Sequence, residues 1–177
     1  QAFNEEPPPG GVKLIFSADE EPGCYGIQHL VSILKGSAKA SAIIVGEPTS
    51  NLPSTGHKGA IYLKVVFSGK TAHSSMPEKG INAIYKAARS IIKLSDYSFG
   101  TELDPLLGYP TINVGKITGG MNINSVPDHA EFTIDIRTTT KVNHNEVLKK
   151  IATDILEEAV IEKMVDLQPV SSPDDNP

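Results

Sequence analysis

The sequence predicts an α/β chain in two parts, a short parallel β-α-β segment followed by an antiparallel sandwich of order β-α-β-β-α-β. Two observations carry this reading. Residues 12–18 and 41–45 are apolar runs that flank Ile27, Leu30, Val31 and Leu34, a helical stripe at i, i+3, i+4 and i+7, and together they read strand, helix, strand. From residue 59 the period changes: Ile61, Leu63, Val65 and Phe67 alternate with Tyr62, Lys64, Val66 and Ser68, the pattern of a half-buried strand.

The elements after that strand follow in order. Gly69 ends it, and Ile81, Ile84, Ala87, Ala88, Ile91 and Ile92 form a helical stripe to about Leu94. Residues 111–118 and 129–138 are the next strands, the second setting Phe132, Ile134 and Ile136 against Glu131, Asp135 and Arg137, with Gly119-Gly120-Met121-Asn122 between them. Asn143 followed by Glu146 resembles a capping box, opening a helix whose apolar face is Val147, Leu148, Ile151, Ile155, Leu156 and Ala159. Residues 164–170 supply the last strand. This order is that of a ferredoxin-like sandwich, one antiparallel sheet with two helices on one face. Pro/Gly-rich residues 6–11 read as a loop entering the first apolar run, and residues 48–59 as a linker with a domain boundary near 57. Residues 171–177 read as a departing linker, and the sequence has no internal repeat.

Bulk properties exclude several functions. At 177 residues and 39% hydrophobic the chain can bury an ordinary globular core. A net charge of −5 and a scatter of 16 basic residues argue against a nucleic-acid partner. No apolar stretch reaches membrane-span length, and residues 1–11 lack the apolar centre of a secretion signal. Cys24 is the only cysteine, so no internal disulfide forms, which fits a reducing, cytoplasmic compartment.

Chemistry concentrates where the two early apolar runs end. Asp19-Glu20-Glu21 follows the first and Gly46-Glu47-Pro48 the second, the edge at which open α/β sheets bind ligands. Taken singly, acids before a helix complement its dipole, and Gly-Glu-Pro is an ordinary turn. Paired at successive strand exits, they suit a hydrolytic metal site: carboxylates are hard ligands for divalent cations, and one left uncoordinated takes a proton from bound water. No upstream His or Asp pair completes such a site, so the chain reads as an internal segment of an enzyme. His73, in a polar loop, has the chemistry to donate to an oxyanion, although its local spacing does not demand that role. His29 lies within the early helix, and His57, His129 and His144 lack ligand spacing; all four read as structural. Arg137 reads either as part of a solvated face or as a fork for a substrate carboxylate. Cys24 has no identifiable base and is not read as a nucleophile.

Taken together, these stretches resemble the zinc aminoacylase and glutamate carboxypeptidase family of metallopeptidases, which includes acetylornithine deacetylase and succinyl-diaminopimelate desuccinylase. The matching pieces are Ser17-Ala18-Asp19-Glu20-Glu21 with Gly23 and Gly26, Gly46-Glu47-Pro48, and residues 69–75 through Pro77, Gly80 and Asn82-Ala83-Ile84. They continue with Asn113-Val114-Gly115, Gly119-Gly120, Asn124-Ser125-Val126-Pro127-Asp128 and Asp135-Ile136-Arg137, in family order over nearly the whole chain.

The resemblance implies an α/β catalytic domain that binds two zinc ions, with cobalt or manganese as possible substitutes, interrupted by a ferredoxin-like lid or dimerisation domain. Residues 1–56 match part of the catalytic domain, 57–168 the lid, and 169–177 the linker back. Glu20 corresponds to the general base, Glu21 to a ligand of one zinc and Glu47 to a ligand of the other. His73 matches a lid histidine that, in dimeric members, reaches the partner's active site and steadies the oxyanion. Asn124 and Arg137 match substrate-binding lid positions. The remaining metal ligands, two His and a bridging Asp, fall outside residues 1–177, so the chain alone is expected to be inactive. The expected reaction is hydrolysis of an amide in an N-acyl amino acid or small peptide by a homodimer joined through the lid. The competing expectation is a non-catalytic dimerisation module.

Overall fold

Alternation of apolar and polar residues becomes a sheet from residue 59 onward. The computed structural model describes residues 10–21, 23–34 and 40–172, in two compact units spanning residues 1–48 and 49–177. The Pro-rich approach at residues 6–9 and the tail at 173–177 lie outside the described residues.

In the first unit the helical stripe is a helix, α1 (Tyr25–Leu34), but the flanking apolar runs pair with nothing among the described residues. They carry no regular secondary structure and are exposed, with Phe16 at 92% and Ile44 at 97% of full accessibility. The expected β-α-β pairing is thus not formed. Strands of this composition belong to parallel sheets covered on both faces, and a single parallel pair neither completes its hydrogen bonds nor hides its side chains.

The second unit contains β1 (Gly56–His57), β2 (Gly59–Ser68), α2 (Ala83–Ser95), β3 (Thr111–Gly119), β4 (His129–Thr138), α3 (His144–Asp154), β5 (Ala159–Leu167) and β6 (Val170–Ser171). Four strands form one sheet in the order β3-β4-β2-β5, every neighbouring pair antiparallel, as the ferredoxin-like reading requires. Because side chains alternate across a strand, Ile61, Leu63, Val65 and Phe67 of β2 and Phe132, Ile134 and Ile136 of β4 share one face. That face meets Ala83, Ala87 and Leu94 of α2 and Val147 and Ile151 of α3 to make the core. On the opposite face, Lys64 pairs with Glu131 at 3.0 Å.

Caps set both helices. The Asn82 side chain accepts from the Tyr85 amide, and the Asn143 side chain accepts from Asn145 and Glu146, the donors that a helix start leaves without partners. The sequence reading runs α3 too far. Ile155, Leu156 and Ala159 fit a helical face, yet α3 ends at Asp154, where the Ile155 and Leu156 amides both turn back to the Ile151 carbonyl, and β5 begins at Ala159. Over so few apolar residues, periods of 3.6 and 2 overlap. The ribbon of β1 with β6, Gly56 facing Ser171 and His57 facing Val170, is too short to leave a pattern in sequence. Among the described residues no helix is long and apolar enough to cross a membrane.

Candidate functional site

The acidic triplet is held by backbone rather than by side chains. Asp19 adopts a left-handed φ of 57°, and the carbonyls of Ala18, Asp19 and Glu20 accept from Gly26, Tyr25 and both Gly23 and Cys24, folding the turn onto the start of α1. Gly26 is required by this approach: a Cβ there would collide with the Ala18 backbone. Glu20 and Glu21 stand exposed on the turn, and Glu47 is exposed in a stretch of the same unit without regular secondary structure. Among the described residues no three His, Cys, Asp or Glu side chains gather closely enough to hold a metal ion. The donor type suits a hard divalent cation, but the grouping present in this chain does not form a centre.

In the second unit His73 and Asn124 come together at the end of the sheet where β2 finishes and β4 begins. The loop after β2 is stitched to the segment before β4: Gly69 N–H donates to Asp128 O at 2.7 Å, Val126 N–H to Ala72 O at 2.8 Å, and Ser74 N–H to Asn124 O at 3.0 Å. His73 lies in register with Ser125. Its Nδ1 accepts the Ser75 backbone N–H at 3.2 Å and lies 2.8 Å from Ser75 Oγ. A ring nitrogen that accepts a backbone N–H carries no proton, so a neutral His73 holds its proton on Nε2 and can donate outward. Both His73 and Asn124 are exposed.

Arg137 is elsewhere. In the β2–β4 register His129 faces Ser68 at the His73 end, whereas Arg137 faces Ala60 eight residues further along β4. At about 3.3 Å per residue this separates them by roughly 26 Å. The Arg137 guanidinium is engaged: Nε lies 2.8 Å from Asp135 Oδ1, and Nη2 donates to Asp135 Oδ2 at 3.0 Å and to Tyr62 Oη at 2.7 Å. Hydrogen bonding to Asp135 is the first cause that raises the guanidinium pKa further. Asp135 was legible from period 2, and Tyr62 only from register.

At this same end the structure reveals a cluster that sequence reading treated as bland. Helix α3 opens on His144, 4% accessible, whose Nδ1 is 2.6 Å from Asp166 Oδ1 and whose Nε2 is 2.7 Å from the buried Thr138 hydroxyl. Lys163 Nζ donates to Asp166 Oδ2 at 2.6 Å. No local spacing signals this group, because its members lie on β4, α3 and β5. Lys163 first, then His144, holds the Asp166 carboxyl below its ordinary range. A carboxylate with a lowered folded pKa stabilises the fold above its unfolded pKa, and that contribution disappears as pH falls through the folded value. We therefore expect stability to the denaturant urea to fall on acidification below about pH 4. In Asp166→Asn the drop should be smaller and stability at neutral pH lower; an unchanged acid profile would remove Asp166 from the account.

The sheet order and the helices on one face define a ferredoxin-like domain. Residues 55–163 match the M20 peptidase dimerisation domain, and the chain belongs to that family. Similar proteins include an acetylornithine deacetylase of Myxococcus xanthus, 34% identical over 77% of this chain and 37% of its own length. A probable carboxypeptidase of Talaromyces marneffei is 31% identical over 86% of this chain and 35% of its own length. The chain thus spans about a third of the length of these curated relatives. Among solved structures, an M20 family metallo-carboxypeptidase from Sulfolobus solfataricus superposes with a TM-score of 0.65 at 19% identity, covering 85% of this chain and 48% of its own. An aminopeptidase from Bacillus cereus gives 0.52 at 23% identity over 69% of this chain and 33% of its own.

Proposed function

We propose that this chain is part of a zinc-dependent amidohydrolase that cleaves an amide bond in an N-acyl amino acid or small peptide. Membership of the M20 family carries the reading, supported by relatives named as a deacetylase and a carboxypeptidase. Residues 1–56 belong to the catalytic domain, 57–168 to the lid, and 169–177 to the linker back. Glu21 and Glu47 would each hold one of the two zinc ions once the remaining ligands are supplied, and Glu20 is the base that accepts a proton from the attacking water and passes it to the leaving amine. Bound zinc supplies Lewis acidity. His73 donates from Nε2 to the developing oxyanion, and Asn124 beside it hydrogen-bonds substrate. Arg137 serves the substrate carboxylate. Its place at the opposite end of β4 from the His73 loop favours an arrangement in which His73 and Asn124 act on a second copy's active site. The lone cysteine is compatible with a reducing, cytoplasmic compartment for the enzyme.

The assay that tests this takes the whole polypeptide containing these residues against a panel of acyl amino acids and dipeptides. Hydrolysis of at least one, lost on chelation and restored by zinc, is expected. Hydrolysis insensitive to chelator, or none across the panel with zinc supplied, overturns the reading.

The partner is a second copy of the chain. Helix α2 lies over edge strand β3, and its flank there is apolar: Ile84, Ala88 and Ile91 half-buried, Tyr85 and Ile92 each 63% accessible, and Ile117 of β3 alongside. An apolar flank beside an edge strand suits an isologous contact. Sedimentation should show dimers that Tyr85→Glu with Ile92→Glu dissociates; a strict monomer at every concentration rules the homodimer out.

A further inference from the structure

The root of the sheet, where the chain enters at Gly59 and leaves after Leu167, is built around one buried polar relay. Asp166 carboxylate accepts from His144 Nδ1–H, which leaves Nε2 of a neutral ring to accept the Thr138 hydroxyl proton. Gln168, the first residue beyond β5, packs its side-chain amide against the ring, 3.0 Å from Nδ1; this is a contact and not a hydrogen bond, because the Nδ1 proton is already given to Asp166. Three elements therefore converge on one ring: the end of β4 through Thr138, the end of β5 through Asp166, and the departing segment through Gln168. The entering strand is pressed against the same point. A Cβ on Gly59 would collide with Thr138 Oγ1 and come within 2.6 Å of Leu167 O and 2.7 Å of Pro169 N. Beyond this knot the two passing segments pair as the β1–β6 ribbon, extended by Ser172 N–H donating to Thr55 O at 2.7 Å.

A two-residue ribbon has almost no cooperativity of its own and opens readily unless something fixes its base. We infer that the Thr138–His144–Asp166 relay, with Gln168 packed on its ring, is a latch that fixes the base of the ribbon, so that the entering and leaving segments at residues 55–57 and 170–172 stay paired. His144 is a positioning residue here. Its burial and full hydrogen bonding leave no access for a substrate, and the Thr138 side chain is fully buried as well.

Amide hydrogen exchange of the full 177-residue chain separates a latch from a general core contact. The Ser172 amide reports the ribbon, and amides in β2 and β4 report the core. In Thr138→Val, which keeps shape but removes the hydroxyl, and in His144→Ala, Ser172 should exchange about tenfold faster while core amides change far less, the size of one lost hydrogen bond. Gln168→Ala, at an exposed position, should accelerate Ser172 in the same direction without risk to the fold, and it decides the matter if His144→Ala does not fold. Three results overturn the latch: no protection of Ser172 in the unmodified chain, equal exchange in the Gln168 and Thr138 variants, or acceleration of ribbon and core in parallel.

Discussion

Phe132→Ala should cost about 3–5 kcal/mol, the largest stability loss available from one side chain in the sheet. The ring is 1% accessible and lies opposite Val65 on one neighbouring strand and Ile117 on the other. It stacks on Phe67 with centroids 6.0 Å apart and planes inclined by 26°. Removing it deletes apolar contact in both directions across the sheet and leaves a void that β4, held between two partners, cannot collapse to fill. Against a typical total of about 5–15 kcal/mol, a loss of this size leaves the unit marginal. The urea midpoint should fall steeply with little change in slope. A loss under about 1 kcal/mol would mean that the ring is not at the centre of the packing.

Glu20→Gln in the complete enzyme should lower kcat by at least about 10²–10⁴-fold with zinc content unchanged. Gln keeps the shape of the side chain and its hydrogen-bonding reach but cannot hold the proton taken from water. Glu21→Ala and Glu47→Ala should instead lower bound zinc, so metal analysis beside turnover separates base from ligand. Near-normal turnover in Glu20→Gln would remove its assignment. The exposed turn on which Glu20 sits is shaped by Asp19 and Gly26, so Gln at this position disturbs no packing.

The four-stranded sheet was legible because its strands are amphipathic. From Ile61 in β2 and Ala130 in β4 buried residues alternate with more exposed ones, and period 2 declares both the strand and its inner face. The start of α3 was equally open, since Asn143 advertises a cap, whereas the Asn82 cap on α2 emerges only from the structure. The early apolar runs failed for the opposite reason. They carry composition without alternation, and composition forms a strand only when neighbours cover it. The end of α3 was misread because Ile155 and Leu156 are buried in a turn and imitate another helical row. For the candidate site, sequence named His73 and Asn124, and their adjacency came only from the loop pairing through Ser74 and Val126. The His144 relay was invisible, because its partners at Thr138 and Asp166 become neighbours only after three elements pack.

The ribbon that closes the second unit sets Gly56 directly across from Ser171. Opposed residues in such a pair lie about 5 Å apart, so everything between them leaves and rejoins the chain at a single point. Excising that stretch would require only a tight turn to reconnect the ends, and the entropic cost of so short a loop is small. A module with this topology can be gained, lost or exchanged between host proteins as one cassette, without redesign of the scaffold that receives it.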